Sequence, residues 1–238
     1  MRREHYFIFK GIKSYDMDIV VTRMPTITKP PKRVSDITIP GRDGVLHFDD
    51  DSYENYTKDI EFAIVNRGRR VSYETINRWL DGYGELMFSH EKGRVYRGII
   101  KNKIDITNVV KQFSKFLVQW DVYPLKFSAT PENDRLILYT NDYKFTGNGA
   151  VEALPIIRIY GSGDVGLIIN GVVHGLTNVE DHVIINSEIS EVYKGSDNRN
   201  NHYNADDFPR LRPSGNENTV SWTGDVNKVI IDPNWRWL

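Results

Sequence analysis

The sequence predicts a mainly β protein: an N-terminal β domain with one helix packed on a sheet, then a C-terminal β sandwich. Three observations predict it. Short apolar runs with a period of two recur along the chain, as half-buried strands require. Glycine or Asn-Gly turns separate the later runs at intervals of roughly 8–12 residues, a sandwich or barrel spacing. One stretch, SYETINRWLDGYG, carries good helical spacing instead.

The elements follow in order. HYFIFKGI is short and aromatic, and Gly11 stops it, as expected of a strand. MDIVVTRM is a second, β-branched run. PTITKPPKR then carries three prolines, which rule out a helix and favour an extended edge segment or linker. In ITIPGRDGVLHFDDDSYENY, Ile37 and Ile39 alternate with Thr38, as in a strand with one buried face. Pro40 ends the pairing, Gly41-Arg42-Asp43-Gly44 tolerates positive φ, and Val45, Leu46 and Phe48 resume the apolar run. A hairpin or tight corner is expected there. IEFAIVN, from Ile60 to Asn66, is the next strand.

In the helix, Ser72 is the N-cap and Gly82 the stop. Tyr73, Ile76, Trp79, Leu80 and Tyr83 form the stripe that lies on a sheet. ELMFSH, VYRGIIKN and KFLVQWDVY return to strands, and in the last Phe116, Val118, Trp120 and Val122 line one face. PLKFSATPENDRL is polar and proline-bearing, a domain boundary, so residues 1–128 and 129–238 are expected as two domains. The second holds LILYT, PIIRIYG, VGLIING, HVIINS, VYKG, NTVSWTG and VNKVIIDP as strands. Asp197 to Gly215 is polar and is expected as a long exposed loop.

Composition bounds the function. The 238 residues are 39% hydrophobic and 26% charged, a globular balance. The net charge is −1, so overall charge gives no reason to expect specific nucleic-acid binding or an anionic membrane. The chain has no cysteine, which excludes a disulfide scaffold, a thiolate metal site and a Cys nucleophile. The basic start MRREHYFIFKG has an apolar run too short for a signal peptide. No stretch approaches the roughly 20 apolar residues of a membrane helix. Synthesis in a cytoplasm without export is expected.

Asp49-Asp50-Asp51 is the best metal candidate, but Tyr53 stands where a calcium loop needs an oxygen and Glu54 where it needs glycine. An acidic hairpin tip in water is the expected reading. None of the six histidines (His5, His47, His90, His174, His182, His202) has metal-ligand spacing. Gly147 to Gly149 and Gly161 to Gly163 lack the following helix that phosphate cradling needs, so hairpin turns are expected. No nucleophile elbow, P-loop or recognisable acid–base set is present, so no catalytic residue, cofactor or metal is assigned. Trp222 is read as core. Tyr203, Phe208, Trp235 and Trp237 are the candidates for partner contacts.

Six blocks, in this order and spacing, carry a family resemblance: FIFKGIKSYDMDIVV, ITIPGRDGVL, INRWLDGYGELMFS, FLVQWDVYPLKF, GNGAVEALPIIRIYGSGDVGLIING and FPRLRPSGNENTVSWTGDVNKVIIDPNWRWL. The chain resembles the distal tail (Dit) proteins of long-tailed, non-contractile phages. The resemblance implies that the C-terminal sandwich is galectin-like. It also implies a homo-hexameric ring at the tail tip of the virion, set between the major tail (tube) protein and the tail-tip or tail-associated protein. Receptor-binding or baseplate proteins lie beyond. Pro40, Gly41, Arg42, Asp43 and Gly44 are then expected as a structural corner or interface. A carbohydrate-binding adhesion module is the alternative, and a cell-wall hydrolase a more distant one.

Overall fold

The computed structural model describes residues 5–65, 71–101, 107–110 and 113–238. Asn66 and Asn102, the last residues of two expected strands, and the basic start 1–4 lie outside them. The chain divides into two compact units, Met1–Ala129 with Leu238, and Thr130–Trp237.

Unit 1 holds β1 (Phe7–Phe9), β2 (Ile12–Lys13), β3 (Ile19–Arg23), β4 (Lys32–Ile37), β5 (Leu46–Tyr53), β6 (Tyr56–Val65), α1 (Tyr73–Trp79), β7 (Tyr83–Phe88), β8 (Arg94–Ile100), β9 (Thr107–Val110), β10 (Phe113–Val122) and β11 (Lys126–Ser128). Its main sheet runs β2-β1-β7-β8-β10-β6-β3, with β9 along β10 and β11 along β8. The alternation in β10 is real: Phe116, Val118, Trp120 and Val122 are all buried. They meet Phe7 and Phe9 of β1 and Ile60 and Phe62 of β6.

The helix sits on this core for local reasons. The Ser72 hydroxyl accepts from the Thr75 amide, capping the first turn. Gly82 takes φ +70 just beyond the end. Ile76, Trp79 and Leu80 are buried, and the Trp79 indole stacks on Phe7 at 5.4 Å and donates to the Phe9 carbonyl at 2.9 Å. Tyr73 and Tyr83, expected in the buried stripe, are exposed. Tyr73 is the first helical residue, and Tyr83 already belongs to β7, where the period is two.

Unit 2 holds β12 (Leu136–Leu138), β13 (Tyr143–Thr146), β14 (Ile156–Ile169), β15 (Val172–Val179), β16 (His182–Asn186), β17 (Glu191–Lys194), β18 (Asp197–Asn198), β19 (Tyr203–Asn204), β20 (Glu217–Asp232) and β21 (Arg236–Trp237). The order is β12-β20-β14-β16-β17-β18, with β13 on β20, β15 on β14 and β19 on β15. One core gathers Ile157, Leu167, Ile185, Val220, Trp222 and Ile231.

Two expectations change here. PIIRIYG and VGLIING are one strand, β14, and NTVSWTG and VNKVIIDP are one strand, β20. The glycines at 161–163 do not close a hairpin; they sit where the β14–β20 register shifts, as a bulge does. A Cβ on Gly161 would lie 2.1 Å from the Asp225 carbonyl oxygen. Gly147 is likewise no hairpin turn, since it bridges Ser214 and a Cβ there would lie 2.1 Å from the Arg212 carbonyl oxygen. In both places glycine permits close approach of two backbones.

The stretch from Asp197 to Gly215 is also not a free loop. It contributes β18 and β19, and Leu211 is buried and exchanges backbone hydrogen bonds with Ala153 at 2.9 and 3.0 Å.

Candidate functional site

The stretch ITIPGRDGVLHFDDD forms the outer part of a two-stranded hairpin, β4 against β5, that pairs with no other strand among the described residues. Lys32 pairs with Tyr53, Val34 with Asp49, Ser35 with Phe48, Asp36 with His47, and Ile37 with Leu46. Directly opposed residues share a face. One face therefore carries Ser35, Phe48, Ile37 and Leu46. The other carries Lys32, Val34, Asp49, Asp36 and His47.

The second face is ionic. Lys32 pairs with Asp49 and, at 3.2 Å, with Asp51. The His47 imidazole lies 2.6 Å from the Asp36 carboxylate. The Lys32 ammonium holds the Asp49 carboxyl below its ordinary range, and the Ser52 hydroxyl and amide do the same for Asp50. The three aspartates are thus not at the hairpin tip, as expected, but along β5. Both Asp49 oxygens and one each of Asp50 and Asp51 accept hydrogen bonds, from Lys32, the Asp51 amide and the Ser52 amide and hydroxyl.

The first face is apolar and open. Phe48 is 59% exposed, Ile37 45% and Leu46 43%. The alternation that predicts a buried face is present, but among the described residues nothing buries it. At the tip, Gly41 and Gly44 take φ +82 and +78, and the Arg42 amide donates to the Ile39 carbonyl at 3.2 Å. Pro40 precedes this turn, and Arg42 and Asp43 are exposed, with no side-chain hydrogen bond or ion pair among the described residues. The corner is therefore the end of an arm rather than a corner of a packed domain.

The C-terminal aromatics sit in unit 2. Trp235 is 4% exposed and packs in the core, edge-on to Phe145. Tyr203, Phe208 and Trp237 are partly buried against the same core. Tyr203 stacks on Phe208 at 4.9 Å and donates to the Asp207 carbonyl at 2.7 Å. Their burial is explained by this chain's own packing, and the buried Trp222 belongs with them.

No group of three or more His, Asp or Glu among the described residues is placed to hold a metal ion. The histidines are dispersed: His174 meets Tyr203, His182 meets Asp181, His202 meets Thr177 and His90 lies near Glu91. No helix among the described residues is long and apolar enough to cross a membrane.

The chain matches the crystal structure of the phage SPP1 Dit protein (gp 19.1), with a TM-score of 0.72 over 98% of this chain and 99% of that one. This chain has the fold of a Dit protein. Sequence identity is 15%, so the likeness lies in the fold. SPP1 Dit is described as a paradigm of the hub adsorption apparatus in phages that infect Gram-positive bacteria. No protein-family model matches the chain, and no curated protein matches it. The period of two in Ile37 and Ile39 marks a strand, but the face it predicts as buried is exposed. Alternation reports that a face is covered, and does not say by which molecule.

Proposed function

We propose that this chain is a structural distal tail protein, built into a closed ring hub of six copies at the tip of a phage tail. The observation that carries the reading is the likeness to SPP1 Dit over both units. The ring would join the tail tube to the tail-tip or baseplate proteins of the adsorption apparatus, and its role is not enzymatic.

The arm supports the reading from its own chemistry. A two-stranded hairpin alone in water is marginal. This one exposes Ile37, Leu46 and Phe48 on one side and unpaired strand edges along its length. A second copy of the chain is the occupant we assign to it. A ring needs a heterologous contact, in which an arm of one copy lies on a different surface of the next. Arg42 and Asp43 at the tip then find their hydrogen-bond partners on the neighbour.

Light scattering behind a size-exclusion column tests this. A ring of six has a mass of about 166 kDa, six times the 27.6 kDa chain. A species of that mass with a central hole in negative stain is expected. A monomer at high concentration that forms no ring even with tube and tip proteins present would overturn the proposal.

A further inference from the structure

Strand β6 presents Tyr56, Lys58, Ile60 and Phe62 to one side. Ile60 and Phe62 are core residues, and Lys58, in the same row, is only 2% exposed. An ammonium in an apolar row is expensive unless it is used. Its Nζ donates to the Thr26 carbonyl at 2.6 Å and lies over the rings of Tyr96 at 5.0 Å and Tyr56 at 5.6 Å. The Glu91 carboxylate completes the surroundings, accepting from Lys126 at 2.9 Å and from the Tyr96 hydroxyl at 2.5 Å.

Thr26 lies in the proline-rich segment that runs from β3 into the arm, and Tyr56 opens β6, just after the arm returns. Both roots of the arm therefore meet one buried cation. A cleft of about 270 Å³ adjoins the entering segment, lined among others by Met24, Thr26, Thr28 and Lys58. Pro25 and Pro30 are buried, and the Glu54 amide closes the hairpin base on the Pro31 carbonyl at 2.9 Å. Neither proline has an N–H to give.

We infer that Lys58 is the positioning residue of the arm: its buried ammonium holds the Thr26 carbonyl and so fixes the direction in which β4 and β5 leave the sheet. The consequence for assembly rests on the reading that the arm docks on a second copy. A fixed root lowers the ordering cost of docking. A swinging arm presents Ile37, Leu46 and Phe48 in many directions, of which few suit a ring.

The absence of cysteine permits a clean test in the full chain. Lys58→Cys is alkylated while unfolded, then refolded. Aminoethylation rebuilds a lysine-length side chain with its ammonium, and propylation gives the same length without charge. Hydrogen exchange is followed over residues 26–36 and over β6 and β10. The propylated protein should exchange about tenfold faster at the arm root alone, as loss of one charged hydrogen bond predicts. The aminoethylated protein should return to the wild-type rate. Lys58→Met, which needs no refolding, gives the same comparison if the alkylated chains do not refold. Unchanged exchange at the root would overturn the proposal. So would loosening spread equally over β6 and β10, or a failure of aminoethylation to restore it. Mass measured on the same samples separates the two readings. A loosened root in a chain that is monomeric as wild type keeps Lys58 in its role and removes the ring.

Discussion

The Lys126 ammonium and the Glu91 carboxylate lie 2.9 Å apart, and both side chains are 7% exposed. Burial alone would raise the Glu91 carboxyl; the hydrogen bond from Tyr96 and the charges of Lys126 and Lys58 outweigh it and hold it below its ordinary value. Burial and the Glu91 charge push the Tyr56 phenol up to about 12, and burial lowers the Lys58 ammonium. Glu91→Gln would leave two buried ammonium groups without a counter-charge. We expect a loss of about 3 kcal/mol in unfolding free energy, as for other broken buried pairs, measured by urea denaturation at neutral pH.

The same carboxylate gives a pH dependence. Its folded pKa is depressed, so its contribution is complete above the unfolded carboxylate value. It is lost as pH falls through that value toward the folded one. Thermal unfolding of the wild type should therefore weaken below about pH 4.5, the ordinary Glu value. Glu91→Gln should flatten that part of the curve.

A second pH effect is expected in unit 2. The His174 imidazole is buried, which lowers its pKa from 6.5. The Tyr203 hydroxyl spends its proton on the Asp207 carbonyl, so His174 Nδ1 donates to the Tyr203 oxygen at 2.8 Å. Below pH 6.5 the unfolded chain takes up a proton before the folded one does, so stability falls as pH falls. His174→Gln should remove the slope that sets in below pH 6.5, read by chemical denaturation at a series of pH values.

Phe48→Asp and Arg42→Ala separate assembly from folding. Both side chains are exposed, so each variant should unfold within about 0.5 kcal/mol of wild type. Phe48→Asp should shift the light-scattering mass toward 27.6 kDa, and Arg42→Ala should do so more weakly. A destabilised Arg42→Ala monomer would show that the tip is held within its own chain.

Gly147→Ala tests the close approach in unit 2. Its Cβ would meet the Arg212 carbonyl oxygen at 2.1 Å, with the Pro213 backbone also crowding it at 2.6 Å. A loss of about 2 kcal/mol is expected, visible as a lower denaturation midpoint. Gly41→Ala meets no atom within 4 Å, and only its φ of +82 resists the change. It should be the milder variant.

Much of the fold was legible because local periodicity and tertiary burial agree. In β10 the row Phe116, Val118, Trp120, Val122 is what the core takes up, and in α1 Ser72 caps the helix for the reason its side chain suggests. Glycine was less transparent. Gly161 and Gly163 have turn composition, but whether a glycine closes a hairpin or kinks a long strand depends on partners far away in sequence. The arm was legible as a pattern and illegible as a surface. Ile37 and Phe48 alternate as buried residues do, yet no described residue of this chain covers them. Lys58 gave a faint signal, a cation interrupting Tyr56, Ile60 and Phe62, which only the positions of Thr26 and Glu91 explain.

The long pairing of β14 with β20 has a consequence for biosynthesis. β14 leaves the ribosome well before β20, yet β20 runs beside it over most of its length, from Ile156 opposite Asp232 to Ile169 opposite Val220. Until then Ile157, Ile159 and Leu167 have only part of their final cover. Unit 2 thus closes late, through contacts distant in sequence, and at a rate set by loop closure rather than by local propensity. A nascent chain carries this half-made sheet through translation, with apolar surface and an unpaired strand edge exposed until β20 arrives.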